Sequence, residues 1–343
     1  MTSKKIQTES GRREFLQSAG ITALGLAVFG ATRASAVEQA MIPHKKFWGV
    51  FPIAQTPFTA DNQLDLDCLA AEVKFCNRGG VAGFVWPQIA SGWSTLSDKE
   101  RTDGAETILA AGKRGKTMLV IGVQTVGADI PTSIRYAQHA AQHGADAIIS
   151  LPPENAAPAD MLAYYKTIGA ATDLPLMVQT ETKGSVTVDQ IVEMFQQIPT
   201  MKCVKDEAGN PLERVVEIRK KTDDKLAVFS GNGVRTMMDE MRLGFSGHCP
   251  TAGLADLYQQ AFNLYHAGQH KAAFDMFGRI QAFSTIPGSG QYILTARGVF
   301  KETTTSRPTP GMGAPGGSAP MSDAEKQNVR DAMNEYLKPY LRA

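Results

Sequence analysis

The stretch Met201-Lys202-Cys203-Val204-Lys205-Asp206-Glu207-Ala208-Gly209 places a lysine where an apolar run gives way to an acidic loop ending in glycine. Strand side chains alternate between faces, so Cys203 and Lys205 share one face and Lys202 and Val204 the other. An inward lysine at the carboxyl end of a barrel strand meets a pocket of low dielectric. Desolvation there disfavours the ammonium and leaves some free amine, the nucleophile that Schiff-base chemistry on a carbonyl requires. The competing reading is a solvated lysine at a strand end, the usual place for this residue type. The surrounding elements decide between the two.

From Phe47 onward, short apolar runs alternate with longer helical patterns, the signature of repeated βα units. Strands are predicted at Gly49–Ala54, Gly83–Trp86, Met118–Val123, Ala147–Leu151, Leu174–Gln179, Lys202–Lys205, Leu226–Ser230 and Phe245–Cys249. Helices announce themselves by a capping box at Ser97-Asp98-Lys99-Glu100, by Pro158 and Pro211 as first helical residues, and by Gly144 and Gly244 as stops. Eight strands with intervening helices predict a (β/α)8 TIM barrel over residues 37–252. A doubly wound sheet would want a glycine-rich turn after the first strand, and Gln55-Thr56-Pro57-Phe58 is not one. Residues 253–343 read as a C-terminal helical extension, with segments near Leu254–Ala267, Lys271–Phe283, Gly290–Phe300 and Asp323–Leu341. A Gly/Pro-rich loop at 303–321 interrupts it.

The chain of 343 residues carries a formal charge of +1 and no basic cluster beyond its amino terminus, which gives nucleic acid no footprint. Its four cysteines lack C-x-x-C spacing, so no metal site is read from them. Residues 1–36 read as a twin-arginine signal peptide. Gly11-Arg12-Arg13-Glu14-Phe15-Leu16 precedes an uncharged run from Ala19 to Thr32, and Ala34-Ser35-Ala36 supplies a cleavage pattern. Cleavage after Ala36 would leave a mature chain of net charge −2. The expected location is the periplasm, reached through the Tat export machinery, with no membrane segment in the mature form.

In this setting the sequence resembles the dihydrodipicolinate synthase / N-acetylneuraminate lyase family of class I, pyruvate-type aldolases, from about Trp48 to Leu341. The resemblance is carried by Thr56-Pro57-Phe58, Leu96-Ser97-Asp98-Lys99-Glu100-Arg101, Gly144-Ala145-Asp146-Ala147-Ile148, Pro152-Pro153, Leu174-Pro175 and Val204-Lys205-Asp206-Glu207-Ala208-Gly209. It implies that Lys205 is the Schiff-base lysine, that the substrate is a 2-oxo acid such as pyruvate, and that the protein is a homo-oligomer, dimer or tetramer. No metal and no diffusible cofactor are implied, because the lysine is itself the electron sink.

The departures are as informative. Where the family carries Gly-Thr-Thr-Gly-Glu, this chain reads Gln88-Ile89-Ala90-Ser91-Gly92, so the threonines that relay a proton and hold the keto-acid carboxylate become Ile89 and Ala90. The family's Tyr-Asn of strand five aligns with Gln179-Thr180. Gln179 can orient substrate or water but cannot act as an acid or base. The candidate catalytic residues are therefore Lys205 and Gln179. The candidate substrate-binding residues are Thr56, Ala90, Ser91, Asn232 and His248. Glu181 and His248 are possible substitutes for the missing proton relay, and Trp86 and Trp93 flank the altered loop. The expected function is a Schiff-base lyase or aldolase acting on a 2-oxo acid or sugar acid, other than dihydrodipicolinate synthesis itself. The alternative is a keto-acid or sugar-acid binding protein without turnover.

Overall fold

The computed structural model describes residues 45–181, 186–308 and 321–342. The signal peptide expected at 1–36 and residues 309–320 of the Gly/Pro-rich loop lie outside the described residues. Eight parallel strands run in the order β1-β8-β7-β6-β5-β4-β3-β2. They are β1 (Gly49–Val50), β2 (Gly83–Trp86), β3 (Met118–Gly122), β4 (Ala147–Ser150), β5 (Leu176–Gln179), β6 (Met201–Asp206), β7 (Ala227–Ser230) and β8 (Gly247–His248). Between consecutive strands lie α1 (Leu66–Arg78), α2 (Asp98–Gly112), α3 (Ile130–Gln142), α4 (Pro158–Gly169), α5 (Val188–Gln197), α6 (Pro211–Lys221) and α7 (Met237–Leu243). The barrel closes where Ile53 bridges both Val85 and Thr251. Pro52 has no N–H to give a ladder, but its carbonyl accepts from Val85 at 3.0 Å. This is the expected TIM barrel.

The helix ends follow the local signals. Ser97 and Glu100 form the reciprocal capping box of α2, Asn210 caps α6 ahead of Pro211, and Gly244 ends α7 at φ 94°. In β6 the alternation breaks once. Leu176 opposes Met201 while Met177 opposes Cys203, a bulge that leaves Lys202 as the extra residue. Met201 and Val204 consequently both face the helices, whereas Cys203 joins the barrel interior with Met177, Ile149 and Phe229. The predicted pairing of Lys202 with Val204 on one face is corrected by that bulge: Lys202 is exposed and Val204 buried.

Beyond the barrel come α8 (Ala255–His266), α9 (His270–Ser284), α10 (Ser289–Ala296) and α11 (Asp323–Ala332), the last continued by irregular helical turns to Tyr340. Gln259 of α8 accepts from the amides of Val50 (2.9 Å) and Ala82 (3.1 Å), fastening this layer to the first two strands. The described residues form one compact unit. The first residues of the Gly/Pro-rich loop are also tied down. Thr305 pairs with Phe58, and the Arg307 guanidinium lies 3.9 Å from the Phe58 ring centre while holding Glu100 at 2.7 and 3.0 Å. No helix among the described residues is long and apolar enough to cross a membrane.

Glu72 of α1 is fully buried and accepts the Gln55 amide at 3.0 Å. Burial pushes its carboxyl up from 4.5 to about 8, with the Gln55 hydrogen bond opposing. Between those values the native state holds a proton that the unfolded chain has lost, so stability falls as pH rises from 4.5 to about 8. Glu72→Gln keeps the acceptor and removes the charge. Thermal unfolding should show the variant more stable than wild type above pH 8, with the difference shrinking toward pH 5. A difference independent of pH would contradict this.

Candidate active site

The register across four strands determines what faces the barrel interior. Gln179 of β5 pairs with Lys205 of β6, Lys205 with Phe229 of β7, and Phe229 with Gly247 of β8. Directly paired residues of parallel strands point the same way, so these four share the interior face. Asp206, Ser230 and His248 form the next row and face the helices. The Lys205 side chain is 5% exposed and its Nζ lies 2.5 Å from Glu207 Oε2.

Glu207 was not singled out as a site residue by its sequence, yet it is the hub. Its Oε2 also accepts from Gln179 Nε2 at 2.6 Å, and its Oε1 accepts the Asn232 amide at 3.0 Å. Gly231 makes room for it: a Cβ there would stand 1.9 Å from Oε1. The signal was the alternation already used for Lys205, since a residue two positions on returns to the same face. Behind it, Thr180 fixes the turn. Its hydroxyl donates to Asp206 Oδ1 (2.9 Å) and accepts the amides of Glu207 (2.7 Å) and Ala208 (3.1 Å). Arg214 of α6 clamps Asp206 through Nε at 2.8 Å and a second nitrogen at 3.0 Å.

Of the predicted site residues, Lys205, Gln179 and Asn232 meet around Glu207. Thr56, Ala90 and Ser91 gather elsewhere, in a cavity of about 560 Å³ completed by Ser289 and Arg307. Neither hydroxyl there is free. Thr56 Oγ1 donates to Ser91 O (2.6 Å) and accepts from Trp86, and Ser91 Oγ donates to Ala54 O (2.6 Å). Asn232 lines a second cavity of about 490 Å³, with Asp206, Gly231 and Arg235. Neither cavity is lined by Lys205 or Gln179.

His248 is the correction. It is fully buried on the helix-facing side of β8, between the rings of Phe245 and Phe262, with Nδ1 at 3.0 Å from Ser230 Oγ and 2.9 Å from Glu240 Oε2. Burial alone would raise the Glu240 carboxyl. The hydrogen bonds and charge of His248, with Ser230 and Thr236, hold it below its ordinary value instead. This is a core network outside the barrel interior. Trp86 likewise packs outward, against Gly104 of α2. Glu181 is half-buried beyond β5.

A rival nucleophile can be dismissed. Cys249 belongs to the interior cluster and feels the charges of both Lys205 and Glu207, but burial pushes its thiol up to about 12. It stays protonated at neutral pH, and the thiol form is inert.

A (β/α)8 barrel with a buried lysine at the end of its sixth strand, paired with a carboxylate, is thus what the chain builds. The Dihydrodipicolinate synthetase family model matches residues 46–286, and the protein belongs to that family. It is 29% identical over 196 residues to the 4-hydroxy-tetrahydrodipicolinate synthase of Methanosarcina mazei, covering 56% of this chain and 65% of that one. It is 31% identical over 209 residues to the enzyme of the same name from Rhizobium meliloti, covering 59% and 67%. The match thus spans just under two thirds of the archaeal relative's length. Among solved structures, the N-acetylneuraminate lyase of Mycoplasma synoviae superposes with a TM-score of 0.73 at 19% identity, over 86% of this chain and 100% of that one. The dihydrodipicolinate synthase of Rhodopseudomonas palustris gives 0.72 at 21%, over 84% and 97%.

Thr180→Val keeps the shape and deletes the hydroxyl that serves three buried partners. It should cost about 1–3 kcal/mol, the scale for leaving buried polar groups unpaired. Denaturant unfolding measures this, and a loss within error of zero would show that the turn is held by other contacts.

Proposed function

We propose that the protein is a Schiff-base lyase acting on a 2-oxo acid of the pyruvate type, with Lys205 as nucleophile and Glu207 as the group that moves protons. One observation carries the reading: a buried lysine at the carboxyl end of β6, where barrel enzymes keep their chemistry, within 2.5 Å of a buried carboxylate. Family membership supports the same class of reaction.

The chemistry needs an acid–base partner beside the lysine, and Gln179 cannot serve. Glu207 takes the proton of the Lys205 ammonium. The free amine adds to the C2 carbonyl, and the resulting carbinolamine loses water as Glu207 returns the proton to the departing hydroxyl. In the protonated imine the C2–N bond accepts electrons. Glu207 can then remove a C3 proton to give the enamine, or accept the proton of a C4 hydroxyl while the C3–C4 bond breaks. Gln179 holds Glu207 through its NH2 group, and its Oε1, buried without a hydrogen-bond partner among the described residues, is an acceptor for a substrate hydroxyl.

With glutamine in place of tyrosine, and Ile89 and Ala90 in place of the paired threonines, the reaction is one other than dihydrodipicolinate synthesis. The twin-arginine stretch and Ala34-Ser35-Ala36 support work in the periplasm after Tat export. Assembly as a dimer or tetramer rests on the family resemblance.

Exchange of pyruvate methyl protons in D2O, followed by NMR, tests the proposal. Wild type should catalyse it and Lys205→Ala should not. Glu207→Gln should slow it by about 10²–10⁴-fold, the usual worth of a positioned acid–base group. Exchange by Lys205→Ala at the wild-type rate would overturn the role of the lysine. Binding of pyruvate by wild type without any exchange would favour the non-catalytic alternative.

A further inference from the structure

The outer face of the barrel carries a cluster that the proposed reaction does not use. His139 lies in the last turn of α3, and His143 directly follows that helix, with its amide still donating to His139 O at 3.1 Å. The helical turn therefore continues through both, and residues four apart share one helix face. Their rings stack at 4.4 Å between centres and 30° between planes. Glu106, on the neighbouring helix α2, reaches across to both. Its Oε1 lies 3.0 Å from His139 Nε2 and 3.7 Å from His143 Nε2. One donor atom from each of the three residues lies within 4.8 Å of the others.

We infer that Glu106, His139 and His143 form a binding site for a divalent transition ion of the zinc class, clamping α2 to α3. The donor set is two imidazoles and one carboxylate, the mixture that zinc accepts, with water completing a tetrahedron. Bonds of about 2.0–2.1 Å place tetrahedral ligands about 3.3 Å apart. The 3.0 and 3.7 Å separations bracket that spacing before any ion arrives. Two histidines one helical turn apart are the arrangement zinc sites on helices use, because both rings project from the same face. The third donor comes from a different helix, so the ion joins two elements.

The Glu106 carboxylate does two things. Without an ion it hydrogen-bonds His139 and keeps the donors converged. With an ion it supplies negative charge. The side chains of His139, His143 and Glu106 are 19%, 40% and 49% exposed, so an ion has a route in and substitutions there leave the core untouched. Metal binding requires the imidazole nitrogens unprotonated, and any protons they carry are released to solvent. No electrons are transferred. The His-x-x-x-His spacing is visible in the sequence, but Glu106, more than thirty residues earlier, is brought to it only by the packing of α2 against α3.

The test is zinc titration of chelator-treated full-length protein, by calorimetry and by competition with a chromophoric indicator. One zinc should bind per chain with micromolar affinity. His139→Ala and His143→Ala should each weaken binding at least about tenfold, and Glu106→Gln severalfold, the scale on which even outer-shell ligand partners act. His266→Ala, a control histidine at the end of α8, should change nothing. Zinc should raise the thermal midpoint of wild type and not that of the His139/His143 double variant, since binding only to the folded state stabilises it. No binding at hundred-micromolar zinc, or binding and stabilisation that survive the double substitution, would overturn the site.

Discussion

The ion pair between Lys205 and Glu207 is the interaction on which the candidate site depends. Two opposite charges taken out of water are costly unless each finds its partner and the remaining lone pairs are satisfied. Glu207 meets that condition, with Lys205 and Gln179 on one oxygen and the Asn232 amide on the other. Each of those donors stands on a different part of the barrel: β6, β5 and the loop after β7. The pair therefore ties together the carboxyl ends of three neighbouring strands, and it puts a proton acceptor against the only lysine that the register of β5 to β8 aims inward.

That geometry rests on backbone details away from the lysine. The bulge at Lys202 resets the alternation of β6, so Cys203 and Lys205 align with Met177 and Gln179. Thr180, in the slot next to the glutamine, holds the amides of Glu207 and Ala208, and the Asp206–Arg214 clamp anchors the turn from outside. Gly231 leaves space that any side chain would fill. The loop after β7 holds Asn232 at φ 52° and Val234 at φ 55°, backbone conformations that cost energy for residues other than glycine, most of all for a β-branched valine. Such strain persists where the surroundings over-determine it, and here the loop delivers the Asn232 amide to the carboxylate.

Much of the barrel was legible in the sequence because its signals are local. Apolar runs, the Ser97–Glu100 box, Pro158 and Pro211 at helix starts and Gly244 at a helix end each act within a few residues. The site was legible only in part. Alternation placed Lys205 inward, and applied two residues further it would have placed Glu207 beside it. For His248 the pattern gave no guide. Gly-His-Cys contains no large apolar side chain to mark a face, and only pairing with β7 shows that Gly247, rather than His248, looks inward. The first cavity was hidden for another reason. Its wall includes Arg307 and Ser289, which reach Thr56 and Ser91 through chain folding that no local spacing encodes.

The proposed reaction is covalent chemistry at one nitrogen, Lys205 Nζ. Borohydride reduction of the protein with pyruvate or another small 2-oxo acid, followed by peptide mapping, reads that nitrogen directly. A mass adduct is expected on Lys205 that is absent in Lys205→Ala and still forms, more slowly, in Glu207→Gln. A folded wild-type protein that yields no adduct across a panel of 2-oxo acids, or an adduct on another lysine, would contradict it.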